Sequence, residues 1–243
     1  MEIYHIVETD STSSEMRRRI SDAQVTDPSM LVAEYQTAGR GQGGNRWESE
    51  AGKNLLFSVF AQPKALDVRE QYYLSMAVSV AVVGVLRTYV PETKVKWPND
   101  IYVGDRKMAG ILIENTLRGM MIGQTIVGMG LNVNQTEFSS SLPNPVSLKS
   151  LTGVDSDILI IAQQLGEAIQ KAITRVDCKD YANILDDYMA ILYRNDGNYY
   201  PYSDADGDFE ARIVCVEPDG HIHLMDRETR ERRYTFKEVE FVL

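Results

Sequence analysis

Two stretches of this chain carry residue types suited to handling an anion. Gly39 to Trp47 reads G-R-G-Q-G-G-N-R-W, and Lys94 to Asp100 reads K-V-K-W-P-N-D, followed by K-M-A-G-I-L-I-E from Lys107 to Glu114. In the first, four glycines among nine residues let backbone N–H groups approach a negative group closely, while Arg40, Arg46 and Trp47 supply charge and an aromatic face. The spacing of Gly39, Gly41 and Gly44 also satisfies the dinucleotide fingerprint. That fingerprint works by seating pyrophosphate on a helix N-terminus, and Asn45 to Asn54 has no apolar helical period and two turn formers. A plain glycine-rich surface turn ranks below a ligand clasp, because a spare linker has no use for two arginines and a tryptophan.

The surrounding pattern predicts the elements that must position these groups. A strand over Ile3 to Val7 leads into Ser11-Thr12-Ser13-Ser14-Glu15, a capping-box pattern opening a helix on which Met16 and Ile20 share a face. Strands over Leu31 to Tyr35 and Leu55 to Phe60 flank the glycine loop, and Glu70 to Leu86 reads as a core helix with one narrow polar face at Gln71, Ser75 and Ser79. Thr93 to Trp97 is the next strand. Ile101 to Val103 and Met108 to Ile113 form two strands joined by a turn at Gly104-Asp105-Arg106, with Lys107 at its exit. An exposed hairpin lysine is the ordinary reading of such a residue. A further hairpin pairs Met120 to Gln124 with Thr125 to Gly130, and Gly128 to Asn134 ends in a glycine-rich bend bearing two amides, the residue type that commonly forms turns at strand ends. Ser139 to Ser150 is expected as an ordered loop, then helices over Ser156 to Arg175 and Lys179 to Tyr193. From Tyr199 onward short strands alternate with turns, which predicts a small antiparallel barrel. The expected class is therefore α/β (α+β): a mixed sheet with flanking helices over residues 1–195, and a C-terminal β-barrel over 196–243.

Composition narrows the function. At 243 residues and 44% hydrophobic residues there is enough apolar material for one sizeable core and a small second domain. A net charge of −10 argues against a broad nucleic-acid face, so an anionic ligand must be met by local cations such as Arg40, Arg46 and Lys107. Cys178 and Cys215 form no C-x-x-C pair, giving neither a zinc site nor a disulfide framework, and a reducing cytoplasm is the expected location. The opening M-E-I-Y-H-I-V-E carries no secretory signal pattern, and Glu70 to Leu86 is shorter than the roughly 20 apolar residues that span a bilayer. No membrane association is expected.

Several features of the tail are weaker than they look. Asp204, Asp206 and Asp208 copy part of a calcium loop, but the glycine stands at the fourth position rather than the sixth, so a hairpin turn is expected. His221 and His223 share one face of a strand without a third ligand in sight, and no metal ligands are assigned. Arg227 to Lys237, mixed in sign, reads as a solvated strand pair.

Taken together with D-S-T at Asp10 to Thr12, E-Y-Q at Glu34 to Gln36 and G-x-G-x-N at Gly128 to Asn132, the two opening motifs make the chain resemble the biotin protein ligase family. The motifs run in family order from about residue 4 to 134, and the tail is similar to the family's small Src-homology-3-like C-terminal domain. The resemblance implies an enzyme that joins the biotin carboxylate to the α-phosphate of ATP with Mg²⁺, releases pyrophosphate, and passes biotin to a lysine of a biotin carboxyl carrier protein. Such chemistry needs no side-chain nucleophile, and the three histidines, at positions 5, 221 and 223, lie near no motif.

By that resemblance Ser11, Thr12, Ser13 and Gln36 hold the biotin rings, while Arg40 and the backbone of Gly39, Gly41 and Gln42 clasp carboxylate or phosphate. Lys107 bridges the two. Asn99 and Asp100 hold the nucleotide and metal side, Lys96 and Gly110 are further ligand-binding residues, and Asp100 is also a candidate for receiving the acceptor lysine's proton, so that Arg40, Lys107 and Asp100 are the expected catalytic set. Asn132 meets the adenine or ribose end, Trp47 covers the adenylate, and Trp97 and Pro98 stiffen their turn. Position 42 departs from the pattern, being Gln where many relatives carry Arg, and Arg46 is expected to replace part of that charge. The first motif begins at Asp10, so DNA binding is not expected. Monomer and homodimer both stay open. Three alternatives stand beside this reading: a lipoate or octanoate ligase, although its R-R-x-S-G-G-G pattern is missing; a nicotinamide-dependent oxidoreductase, resting on glycine spacing alone; and a non-catalytic biotin-binding regulator.

Overall fold

The run L-L-F-S-V-F-A shows no polar alternation, and the reason is position: β3 (Leu55–Ala61) is buried at every residue, in the interior of a seven-stranded sheet. The computed structural model describes residues 1–243. Around β3 lie β1 (Glu2–Thr9), β2 (Ser29–Gln36), β4 (Thr93–Lys96), β5 (Asp100–Val103), β6 (Arg106–Arg118) and β7 (Met121–Leu131), in the order β1-β2-β3-β7-β6-β5-β4. β1 and β2 are parallel and the other neighbours antiparallel, so the sheet is mixed.

The two-residue period of these strands separates two cores. Met30, Val32, Leu55, Phe57 and Val59 join the large cluster under α2 (Tyr72–Leu86), α4 (Ile158–Asp177) and α5 (Tyr181–Ile191). Leu31, Phe60 and Ile126 point the other way and pack with Met16 of α1 (Thr12–Ser21). The second face is thus only partly covered, and the sheet surface beyond α1 is left for the glycine loop.

After α5 the chain forms β8 (Tyr200–Asp204), β9 (Gly207–Val216), β10 (Ile222–Asp226), β11 (Glu231–Tyr234) and β12 (Glu240–Phe241), an antiparallel sheet in the order β11-β10-β9-β8-β12. Tyr202, Ala211, Ile213, Ile222 and Leu224 fill its interior. The Asp204 to Asp208 stretch is a hairpin turn, as expected, with the Asp206 N–H donating to Asp204 Oδ1 at 2.9 Å. No helix is long and apolar enough to cross a membrane.

Four local expectations are corrected. The hairpin expected within Met120 to Gly130 is one continuous strand, β7, and the reversal lies earlier, at Gly119 with φ 66°. Gly123 there is no turn former; it makes room for the Arg118 side chain, which would lie 3.1 Å from a Cβ. The capping box is not formed, since Ser11 is the N-cap without a side-chain bond and Glu15 pairs with Arg18 and Arg19 instead. A short helix, α3 (Leu148–Thr152), occupies the end of the expected loop, capped by Ser147 and closed by Gly153 at φ 79°. Arg227 to Lys237 is mostly exposed as expected, but Arg232 is half-buried between the carboxylates of Asp204 and Asp226, 3.1 and 3.2 Å away.

Candidate functional site

The glycine loop folds as a miniature hairpin rather than a helix start. Trp47 N–H donates to Gly39 O at 3.0 Å and Gly41 N–H to Asn45 O at 2.7 Å, while Gln42–Gly44 make a 3-10 turn whose Gly43 and Gly44 take φ of 64° and 89°. A side chain is poorly tolerated at either φ, which accounts for the glycine pair. The hairpin lies over the open sheet face, and Trp47 rests flat on Gly130: a Cβ there would come within 2.3 Å of the indole.

Lys107 reaches the same face because β6 carries a bulge. Ile101 pairs with Ala109 and Tyr102 with Lys107, so Lys107 and Met108 together oppose one residue of β5. Met108 and Ala109 enter the core, and the Lys107 ammonium sits 2.7 Å from Asp100 Oδ1 and 6.0 Å from the Trp47 ring centroid. Both Asp100 Oδ1 and Lys107 Cε lie 3.5 Å from where a Gly110 Cβ would be, so glycine at 110 leaves the floor open. Asn99 is locked beside them, its side-chain amide donating to Ile111 O.

At the other end, the N-terminus of α1 meets β3. Thr12 N–H donates to Gln36 Oε1 at 2.7 Å, and the hydroxyls of Ser13, Ser58 and Thr12 form a chain with steps of 3.0 and 2.9 Å. Gly128 makes way for Ser13, whose Oγ would stand 2.5 Å from a Cβ. Asp10 anchors this turn by accepting from Ser11 N–H and the Arg18 guanidinium, and Arg18 holds its carboxyl well below the usual carboxylate range.

These groups line one cavity of about 100 Å³. It brings together Ser11, Thr12, Ser13, Gln36, Arg40, Gly41, Gln42, Arg46, Trp47, Asn99, Asp100, Lys107 and Gly110 of the expected residues. Three cations face one carboxylate in that wall, a balance suited to anions. Trp47 and Lys107 also border a neighbouring cavity of about 380 Å³ that contains Asn132 and the Phe138 to Pro145 loop. Asn132 is buried, its amide donating to Val146 O at 3.2 Å. Gly39 lies outside both walls and lets the hairpin close, since a Cβ would approach Trp47 O to 2.5 Å.

Lys96 lies elsewhere. Its ammonium sits 5.2 and 4.8 Å from the ring centroids of Tyr102 and Phe241, where burial pushes its pKa down, and it borders neither cavity. Nor do the tail histidines stand alone. Glu217 and Asp219 join His221, their ligand atoms within 4.8 Å of one another, but Arg233 occupies the cluster, 2.5 Å from Glu217, 2.9 Å from Asp219 and 3.0 Å from His221 Nδ1.

Sequence reading did not single out Phe236, which reaches the cavity wall from the C-terminal segment, nor Glu114 and Ser58. Glu114 holds Arg40 at 2.6 Å and Arg17 at 3.0 Å, and it could have been found by stepping in twos along β6 from Gly110 through Leu112. Ser58, fully buried, is the single polar residue in β3's apolar run, and that interruption was its signal.

Comparisons with known proteins agree with this geometry. The bifunctional ligase/repressor BirA of Escherichia coli is 34% identical over 170 residues, covering 68% of this chain and 51% of that protein. The biotin--[acetyl-CoA-carboxylase] ligase of Mycobacterium tuberculosis is 30% identical over 173 residues, covering 69% of this chain and 62% of that one. The chain thus matches about half the length of the first and under two thirds of the second. In fold it is similar to the biotin protein ligase from Aquifex aeolicus in complex with biotin and ATP, with a TM-score of 0.79 at 24% identity over 99% of both chains. A family model described as the biotin/lipoate A/B protein ligase family matches residues 6–132, more than half of the sequence and all the elements that build the cavity wall from α1 to β7, and the chain belongs to that family.

Proposed function

We propose that this chain is a biotin protein ligase, which activates biotin with ATP and transfers it to a lysine of a biotin carboxyl carrier protein. One observation carries the reading. A cavity with hydroxyls and an amide at one end places Arg40, Arg46 and Lys107 at the other, where Trp47 separates it from a second cavity holding Asn132. A neutral, polar ring system with an acidic tail fits the first, and a nucleotide whose innermost phosphate meets that tail fits the second.

In the first step a biotin carboxylate oxygen attacks the α-phosphorus, the bond to the bridging oxygen breaks, and pyrophosphate leaves. Two anions must approach, so fixed cations aimed at the junction lower the barrier, and the presence of Arg40 and Lys107 in the cavity wall supports giving them that role. In the second step the acceptor amine attacks the acyl carbon, the bond to the phosphoryl oxygen breaks, and AMP leaves. The ammonium gives up one proton before attack and the product nitrogen a second one after it; Asp100, 2.7 Å from Lys107, is a base within the wall. Mg²⁺ binds through few protein carboxylates plus substrate phosphates, a requirement that Asp100 with Asn99 fits, and when bound it supplies charge neutralisation to the phosphates.

Residues 1–195 form the catalytic part and 196–243 the barrel in this reading, and the protein works in the cytoplasm. Biotin-dependent exchange of pyrophosphate into ATP, followed by labelling of a carrier domain, tests it; absence of both with biotin, ATP and Mg²⁺ present refutes it. Lipoate is the competing substrate, since the family description includes it, and exchange supported by lipoate but not biotin would reassign the chain.

A further inference from the structure

Asn99 and Asp100 line the first cavity from the turn between β4 and β5 and from the first residue of β5. Asn99 is tied to β6 twice, its carbonyl accepting from Ile111 N–H at 3.1 Å and its side-chain amide donating to Ile111 O. The residue before it is harder to hold. Pro98 has no N–H, so its carbonyl is the single backbone group through which a hydrogen bond can fix it. That carbonyl accepts from the Tyr72 hydroxyl, 3.0 Å away on the first residue of α2.

Tyr72 is itself aimed by its neighbours. Its ring stands edge-on to Tyr188 with centroids 6.3 Å apart, and it lies against Gly220 of the β9–β10 turn, where a Cβ would come within 2.9 Å of the ring. The same Gly220 accepts the Trp97 indole N–H at 3.0 Å, so the residue on either side of the Trp97–Pro98 bond is held by this group. A phenol carries one donor hydrogen, and that of Tyr72 goes to Pro98. The hydroxyl of fully buried Tyr188, 3.3 Å away, is therefore the donor to Tyr72, and the chain runs from Tyr188 through Tyr72 to Pro98. Packing alone has no need of it, since phenylalanine would fill the same space against Gly220 and Tyr188.

We propose that Tyr72 is a positioning residue for the nucleotide and metal side of the site, acting through the Pro98 carbonyl on Asn99 and Asp100, an assignment that rests on the ligase reading above. Tyr72 borders neither the first nor the second cavity, so it works only through the turn. Its bond fixes the peptide from which Asn99 starts, and one residue further on Asp100 stands 2.7 Å from Lys107. Oxygen ligands to Mg²⁺ must stand in near-octahedral places, so a small drift of Asn99 or Asp100 weakens the hold on a metal-bound nucleotide. The hydroxyls of Thr12, Ser13 and Ser58 at the other end of the cavity bond to one another and not to this turn, which confines the effect to the nucleotide side.

Tyr72→Phe keeps the ring and removes the hydroxyl. In pyrophosphate exchange it is expected to raise the KM for ATP, and the Mg²⁺ concentration for half-maximal rate, about threefold or more, with the KM for biotin within about twofold of the unsubstituted protein. Tyr188→Phe takes a bond from the same pair but leaves Tyr72 on Pro98, so it is expected to lower the thermal midpoint while the KM for ATP stays within about twofold. Should Tyr72→Phe not fold, Gly220→Ala displaces the ring by placing a methyl 2.9 Å from it, and the same ATP-selective rise is expected. An unchanged KM for ATP in whichever of these two variants is soluble overturns the proposal. So does a parallel rise for biotin, and so does an equal rise in Tyr188→Phe, because both mark a general loosening of the fold. Missing biotin-dependent exchange in the unsubstituted protein is a different result, which removes the ligase reading itself.

Discussion

Before any anion arrives, the Lys107 ammonium is paired with Asp100 at 2.7 Å and the Arg40 guanidinium with Glu114 at 2.6 Å, so each cation is held in place by a carboxylate at its flank. Preorganised charge of this kind does its work in the transition state, where negative charge gathers at the junction. Lys107→Met keeps the stem and removes the charge. It is expected to slow biotin-dependent pyrophosphate exchange at least about tenfold, which corresponds to about 1.4 kcal/mol of lost transition-state stabilisation; activity near the unsubstituted level would return Lys107 to the status of an exposed hairpin lysine. Glu114→Gln isolates the positioning of Arg40. Arg40 is part-exposed, so little stability is at stake, and the expected result is a KM for biotin or ATP raised about threefold or more with kcat and thermal midpoint nearly unchanged. A lowered KM would mean that Glu114 competes with substrate for Arg40 instead of aiming it.

At the scale of elements, the site depends on two strands coming close enough for a loop to lie on them. Gly130→Ala puts a methyl within 2.3 Å of the Trp47 indole, so the hairpin cannot seat; exchange is expected to drop by about tenfold or more while circular dichroism stays native. The C-terminal sheet makes a separate prediction. Asp226 is buried and Asp204 half-buried, and both are held below the ordinary carboxyl value of 3.8, Asp204 first by the Tyr234 hydroxyl and Asp226 first by the Arg230 N–H, with Arg232 reinforcing each. A depressed folded-state pKa contributes stability that is present above that ordinary value and lost as pH falls through the folded one. Thermal midpoints are therefore expected to fall steeply below about pH 4, and Arg232→Met should lower the midpoint at neutral pH by removing the cation that the two carboxylates share. How far sequence reading reached follows from these same elements. Strands β1 to β5, the core helix and the barrel were legible because their apolar runs and the turn formers that bound them are local. The unbroken β7, the bulge that turns Lys107 inward and the Glu114 to Arg40 pair were not, because each is decided by a neighbouring strand: register against β6, an extra residue opposite Tyr102, and a partner 74 positions away. Where Lys96 sits was not legible for the same reason, since its neighbours Tyr102 and Phe241 come from β5 and β12.

For the molecule as a whole, the C-terminal sheet touches the glycine hairpin directly. The Lys237 ammonium donates to Gly43 O at 2.9 Å, Phe236 borders the first cavity, and the C-terminal sheet is fixed in turn to the larger sheet by Trp97, whose indole N–H donates to Gly220 O at 3.0 Å. Gly43 has no side chain to block that approach; a Cβ there would come within 2.5 Å of Lys237 Cε. The latch spans 194 positions of chain, so it exists only when both sheets are folded and in place. Its consequence lies in retention. A mixed anhydride hydrolyses when water enters, and a loop tied at its tip opens less often than one tied at its base alone. Lys237→Ala is expected to raise release of activated biotin in the absence of acceptor roughly fivefold, with the initial rate of pyrophosphate exchange little changed, because none of the cations at the junction has moved. Gln42→Arg is expected to act in the opposite sense, adding a charge at the clasp that Arg46 supplies only in part, and combining the two changes measures whether tip and base of the hairpin close together. Leakage unaltered by Lys237→Ala would show that the hairpin's own backbone bonds, Trp47 to Gly39 and Gly41 to Asn45, are sufficient to keep it shut.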